Sequence, residues 1–151
     1  TQIILSVVHA PDLDLTYSAE VGKGAFLNGE KISITRISEE KVLIDNYPKP
    51  RNITLDIFNN LNYTNYIECG SIGLKICKVA QGEANLFFKD VKVRDWDILP
   101  PLLILSEAGG LLTNLDGSEY NSVRSIEKKG IIASTSSKYL MEVVDFLKMQ
   151  K

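Results

Sequence analysis

TNYIECGSIGLKICKVAQGEANLFFKDVKVRDWDILPPLLILSEAGG, residues 64–110, switches twice between two periods. TNYIEC (64–69) and ANLFFK (84–89) are short runs of branched and aromatic residues and read as strands. Between them Ser71 is placed to cap a helix over IGLKICKVAQG, with Gly73, Ile76, Cys77 and Ala80 on one stripe and a stop at Gly82. DWDILPPLLILSEAGG then reads as a second helix closing on Gly109-Gly110. Strand, helix, strand and helix in that order predict an α/β domain, a mixed sheet flanked by helices.

Upstream, QIILSVVHA (2–10) and LTYSAEVG (15–22) flank the turn-forming PDLD and read as a hairpin. GAFLNGEKISI (24–34) is a second hairpin turning at Asn28-Gly29. These strands are expected to form an N-terminal antiparallel hairpin extension of the α/β domain. KVLIDN (41–46) is a further strand, and Ile53, Ile57, Phe58 and Leu61 recur at helical spacing. Downstream, LLTN (111–114) and GIIAS (130–134) read as strands, and residues 116–130 as a surface loop ending where the last strand begins. The final helix starts at Ser137 and repeats apolar residues at Leu140, Val143, Val144 and Leu147. The expected division is residues 1–34, antiparallel strands, and residues 35–151, the α/β part.

Composition narrows the function. A chain of 151 residues is long enough for one core, and 44% hydrophobic with 24% charged residues is ordinary globular usage. A net charge of −2 without a Lys/Arg run offers nothing to a phosphate backbone or an anionic bilayer, so neither nucleic acid nor membrane is an expected partner. Cys69, Cys77 and the lone His9 lack zinc-finger or CxxC spacing, and two cysteines do not make a disulfide scaffold. A reducing, cytoplasmic setting is expected. A strand pattern that starts at residue 1 is read as an excision from something longer, with processing or a designed start giving the same appearance.

Two corners carry chemistry. Asp90, Asp95 and Asp97 cluster where a strand passes into a helix, a place suited to a hard cation or to polyol hydroxyls. Asp97 also reads as the N-cap of that helix, with Pro100 at N3 and Pro101 at N4 stiffening the first turn. CGSIG (69–73) is the second corner, where glycine permits close approach and free N–H groups can face an oxygen-rich ligand. A capped structural helix explains the same residues. No GxxxxGK[ST] or GxGxxG occurs, and His9 has no serine elbow to serve.

The ordered set GKGAFLNG, CGS, KVAQG, WD, EAGG and TNLDG resembles the C-terminal half of the inositol monophosphatase family, within the lithium-sensitive, magnesium-dependent phosphatases that include fructose-1,6-bisphosphatases. The resemblance runs from about residue 3 to residue 148 and implies that half of the sugar-phosphatase fold. It implies that Asp97 ligates Mg2+ and approaches the substrate, that Gly70 and Ser71 border the substrate, and that Asp90 binds its hydroxyls. The implied reaction is hydrolysis of inositol monophosphate or fructose 1,6-bisphosphate by metal-activated water, in a homodimer when complete. Leu99, Pro100 and Pro101 depart from the small residues usual after WD, and Ile67 replaces a common Arg. DPxDGT and the upstream Glu-Glu pair are missing from the sequence. Hence three expectations: residues 1–34 belong to a sheet completed by a missing N-terminal half, that half is a required partner, and the isolated chain is nearly inactive. The alternative is a truncated, non-catalytic or partner-dependent domain with an assembly or regulatory role.

Overall fold

The computed structural model describes residues 2–34, 40–121 and 127–150. Strands β1 (Leu5–Ala10), β2 (Leu15–Glu20), β3 (Gly24–Leu27) and β4 (Glu30–Ile32) form an antiparallel sheet in that order. β5 (Val42–Asp45), α1 (Asn52–Asn60), β6 (Asn65–Glu68), α2 (Ile72–Ala80) and β7 (Leu86–Lys89) follow. Then come β8 (Val93–Arg94), α3 (Asp95–Glu107), β9 (Leu111–Thr113), β10 (Glu127–Lys128), β11 (Ile131–Ser134) and α4 (Ser137–Met149). The second sheet has the order β6-β5-β7-β11-β9, with β5 parallel to both β6 and β7 and the far side antiparallel. β8 and β10 make a separate small ribbon.

Alternation along the second sheet builds two cores. Leu43, Leu86, Phe88 and Ile132 face a cluster with Ile57 of α1 and Leu140, Val143, Val144 and Phe146 of α4. Their neighbours Ile44, Phe87, Ile131 and Ala133 face the other way, onto α2 and α3. A sheet covered on both faces needs continuous apolar strands, which is why LFF and IIA show no polar alternation.

The antiparallel strands are not an extension. Tyr17, Ala19 and Ala25 join the same core as α2 and α3, and α3 packs against β1, β2 and β3. The expected hairpin appendage is therefore corrected to a full layer, giving sheet, helix pair, sheet, helix pair. The physical reason lies in α3, which buries Leu103, Ile104 and Leu105 in succession and so needs cover on both sides. Replacing Ile104, fully buried between the sheets, with Ala should cost about 2–4 kcal/mol in urea denaturation.

The start of α3 also differs from expectation. Arg94 is the N-cap and Asp95 the first helical residue, so Asp95 and Asp97 both lie in the first turn. β8 runs straight into the helix, and extended Arg94 (φ −121°, ψ 150°) supplies the cap geometry, its side chain making no capping hydrogen bond. Pro100 and Pro101 then fall inside the helix, where their absent N–H groups leave the carbonyls of Trp96 and Asp97 without helical donors. The helix ends on Gly109 at φ +96°, with Gly110 N–H donating to the Leu105 carbonyl at 2.9 Å. Among the described residues no helix is long and apolar enough to cross a membrane.

Candidate functional site

β5, β6 and β7 run parallel, so their carboxyl ends lie side by side, where α/β sheets bind ligands. Asp45 closes β5, Glu68 is its register partner on β6, and Lys89 closes β7. Beyond these ends stand Asn46, the Cys69-Gly70-Ser71 corner and exposed Asp90. The Cys69 N–H donates to the Asp45 carbonyl at 2.9 Å, which ties the first two ends together.

Ser71 caps α2: its Oγ accepts from the Leu74 N–H at 3.3 Å. Its φ of +40° is unusual for a residue with a Cβ, and such positions are held only where surroundings over-determine them. A Cβ on Gly73 would lie 3.8 Å from the Asp97 carbonyl oxygen and 3.9 Å from Ser71 Oγ. The first turns of α2 and α3 therefore meet, and the structure brings Gly70, Ser71 and the Asp97 backbone into one corner. Asp90 sits at the neighbouring strand end.

The two acids of α3 have different surroundings. Asp95 Oδ1 accepts from the Tyr120 hydroxyl at 2.7 Å. Burial raises the Tyr120 pKa well above its ordinary value, and the Asp95 bond and the nearby Asp97 charge push it further, so this hydroxyl stays a donor. Asp97 is half-buried, and its carboxylate has no hydrogen-bond or ion-pair partner among the described residues. The helix N-terminus favours its charge without satisfying its oxygens.

Mg2+ takes oxygen ligands, keeps several waters and needs only one or two protein carboxylates. Asp97 offers one donor of that kind, while Asp95, two residues before it and so on a different side of the helix, is held by the Tyr120 hydroxyl. Among the described residues no three His, Cys, Asp or Glu side chains form a metal cage. The donor set fits a water-rich Mg2+ and does not fit a closed structural zinc site.

Sequence reading missed a second polar group behind the corner. Asp45 is 3% exposed and accepts from Thr54 Oγ1 and from Lys89 Nζ, each at 3.4 Å. Lys75 is fully buried, and its ammonium donates to Asn46 Oδ1 and to the Cys69 and Gly70 carbonyls. The signal in the sequence is a lysine in the apolar turn LKIC, but a one-stripe reading of α2 sends it to solvent. Packed between two sheets, α2 also buries Leu74, Ile76, Cys77, Val79 and Ala80.

Burial lowers the Lys75 pKa to about 8; Lys89 adds to the fall, while Asp45 and Cys69 oppose it. An unfolded lysine keeps its proton to about pH 10.4. Between these values the unfolded chain binds the extra proton, so Lys75 makes stability rise with pH. Cys69, Cys77 and the buried tyrosines, with raised pKa values, act oppositely as they ionise in the unfolded chain, the cysteines from about pH 7.5 and the tyrosines from about pH 9. In urea denaturation the stability difference between the natural protein and Lys75→Met should rise by up to about 1 kcal/mol from pH 8 to 9, the cysteine contribution being common to both.

Comparison with known proteins places this geometry in context. The profile of the inositol monophosphatase family matches residues 1–147. A fructose-1,6-bisphosphatase/inositol-1-monophosphatase of Thermotoga maritima is 33% identical over 148 residues, covering 95% of this chain and 57% of that protein. One from Methanocaldococcus jannaschii is 33% identical over 135 residues, covering 87% and 52%. The solved structure of a Thermotoga maritima inositol monophosphatase superposes with a TM-score of 0.76 at 31% identity, covering 96% of this chain and 58% of its own. The chain thus spans a little over half the length of these relatives.

The match corrects the expectation that the resemblance, and the fold it implies, is to a C-terminal half only: the likeness runs over nearly all of this chain, and solved structures of the family cover 94–99% of it. The layered packing gives the physical reason, since the antiparallel sheet shares a core with α2 and α3. The expectations of a missing N-terminal half as a required partner, and of a nearly inactive isolated chain, lose their support with it.

Proposed function

The chain belongs to the inositol monophosphatase family, and from that premise we propose that it acts as a Mg2+-dependent phosphomonoesterase on a small phosphorylated polyol or sugar. The observation that supports this most is Asp97, half-buried with a carboxylate that has no partner among the described residues, on a first turn that meets the Gly70-Ser71 corner at the carboxyl ends of parallel strands. Inositol monophosphate and fructose 1,6-bisphosphate are the substrates proposed, in keeping with the names of the two relatives.

Bound Mg2+ would supply Lewis-acid polarisation of the phosphate and activation of water. The chain's own residues bind and orient. Asp97 would hold the metal through its carboxylate, while the Tyr120 hydroxyl occupies Asp95 and keeps that neighbour fixed. Gly70 leaves the corner without a side chain, so the phosphate ester can approach the backbone. Exposed Asp90 accepts hydrogen bonds from the polyol hydroxyls.

Phosphate release from inositol 1-phosphate and from fructose 1,6-bisphosphate, with Mg2+ and with EDTA, tests the reading. Release from at least one ester, abolished by EDTA, is expected; no Mg2+-dependent release from either contradicts it. Asp90→Ala should raise KM for the preferred ester about tenfold through a lost charged hydrogen bond, with little change in kcat.

A further inference from the structure

Lys75 carries a buried charge that the proposed chemistry leaves unused. It stands in the first turn and a half of α2, behind the corner and away from solvent. Its ammonium reaches three oxygens: Asn46 Oδ1 beyond β5, the Cys69 carbonyl at 3.2 Å and the Gly70 carbonyl at 3.2 Å. The Phe87 ring lies 5.0 Å from it. An ammonium has three protons, so its donors are fully used and Lys75 cannot itself bind substrate.

The consequence falls on the peptides it holds. All peptide bonds here are trans, and a trans peptide points its N–H opposite to its C=O. Drawing the Cys69 carbonyl toward Lys75 turns the Gly70 N–H away from the core. Drawing the Gly70 carbonyl does the same for the Ser71 N–H. Both residues are exposed, and neither N–H has a protein partner among the described residues. The same grip helps to explain how Ser71 keeps a positive φ.

We propose that Lys75 is a positioning residue, whose ammonium orients the Gly70 and Ser71 peptides from behind so that their N–H groups face an oxygen of the bound phosphate ester. This rests on the reading of residues 70–71 as the substrate corner. The charged groups around Lys75 are Asp45 from β5, Cys69 after β6 and Lys89 from β7. When Lys75 loses its proton, two donors remain for three acceptors, and the corner loosens.

The test is nuclear magnetic resonance on 15N-labelled protein, following the Gly70 and Ser71 amides with pH and with inorganic phosphate in Mg2+. Both amides should titrate with a midpoint near pH 8 and shift on adding phosphate at pH 7. In Lys75→Met, checked for folding by circular dichroism, the midpoint should vanish and phosphate affinity fall about tenfold. A lysine that only fills a polar hole would change stability and leave phosphate affinity alone. Should Lys75→Met not fold, the natural protein suffices: its phosphate affinity must weaken above pH 8 in step with the two amide shifts. Folded Lys75→Met binding phosphate as the natural protein does would overturn the proposal. So would phosphate that shifts other amides and leaves Gly70 and Ser71 silent. Phosphate that shifts no resonance at all overturns the substrate reading along with it.

Discussion

Asp97→Asn is expected to lower kcat about a thousandfold while leaving the fold intact. Removing one charged metal ligand from a preorganised site costs about 4 kcal/mol of transition-state stabilisation. The structure separates this from a stability effect, because the Asp97 carboxylate has no protein hydrogen bond to lose among the described residues. Asparagine is nearly the same shape, and only the interaction with the α3 N-terminus goes, worth about 0.5 kcal/mol. Steady-state kinetics beside urea denaturation checks both halves. A structural aspartate would give the opposite result, unchanged turnover with a small loss of stability.

Gly130→Ala destabilises the protein by about 3 kcal/mol or more, lowering Tm by about 10 °C. Gly130 lies at φ +99°, and a Cβ there would come 2.2 Å from the Lys89 carbonyl oxygen and 3.0 Å from the Asp90 Cα. Those are backbone atoms, so no side chain can swing aside. Relief has to come from moving the end of β7 and Asp90 just after it, and KM should therefore rise along with the loss of stability. Thermal unfolding and substrate titration of the variant check the two effects. An unchanged Tm would mean that the turn before β11 approaches β7 less closely than described.

How much of this was legible beforehand depended on whether the signal was local. The strands over residues 84–89 and 130–134, the capped helix after Ser71 and the periodic helix from Ser137 follow from local signals, and the described elements begin within a residue or two of them. The corner at Gly70, Ser71 and Asp97 was marked by glycine and acid at strand-to-helix junctions. The antiparallel sheet was misjudged as an appendage because strand pattern does not say which partner covers a face. LLILS, apolar around a whole helical turn, was the available clue that α3 is covered from two sides. The helix start was missed for a related reason: the paired prolines made a later start attractive, but continuity with β8 fixed Asp95 as the first helical residue. Lys75, Asp45 and Tyr120 were not legible, since each has a partner that the fold brings from 29, 44 and 25 positions away.

The most direct test of the account is phosphate release by the natural protein and by Asp97→Asn, assayed together on inositol 1-phosphate and fructose 1,6-bisphosphate across a Mg2+ titration. The account predicts Mg2+-dependent release by the natural protein from at least one ester, and near-complete loss in a variant of unchanged stability. Release that ignores Mg2+, or that Asp97→Asn retains, would contradict the assignment of Asp97 as the metal-binding carboxylate of a phosphatase.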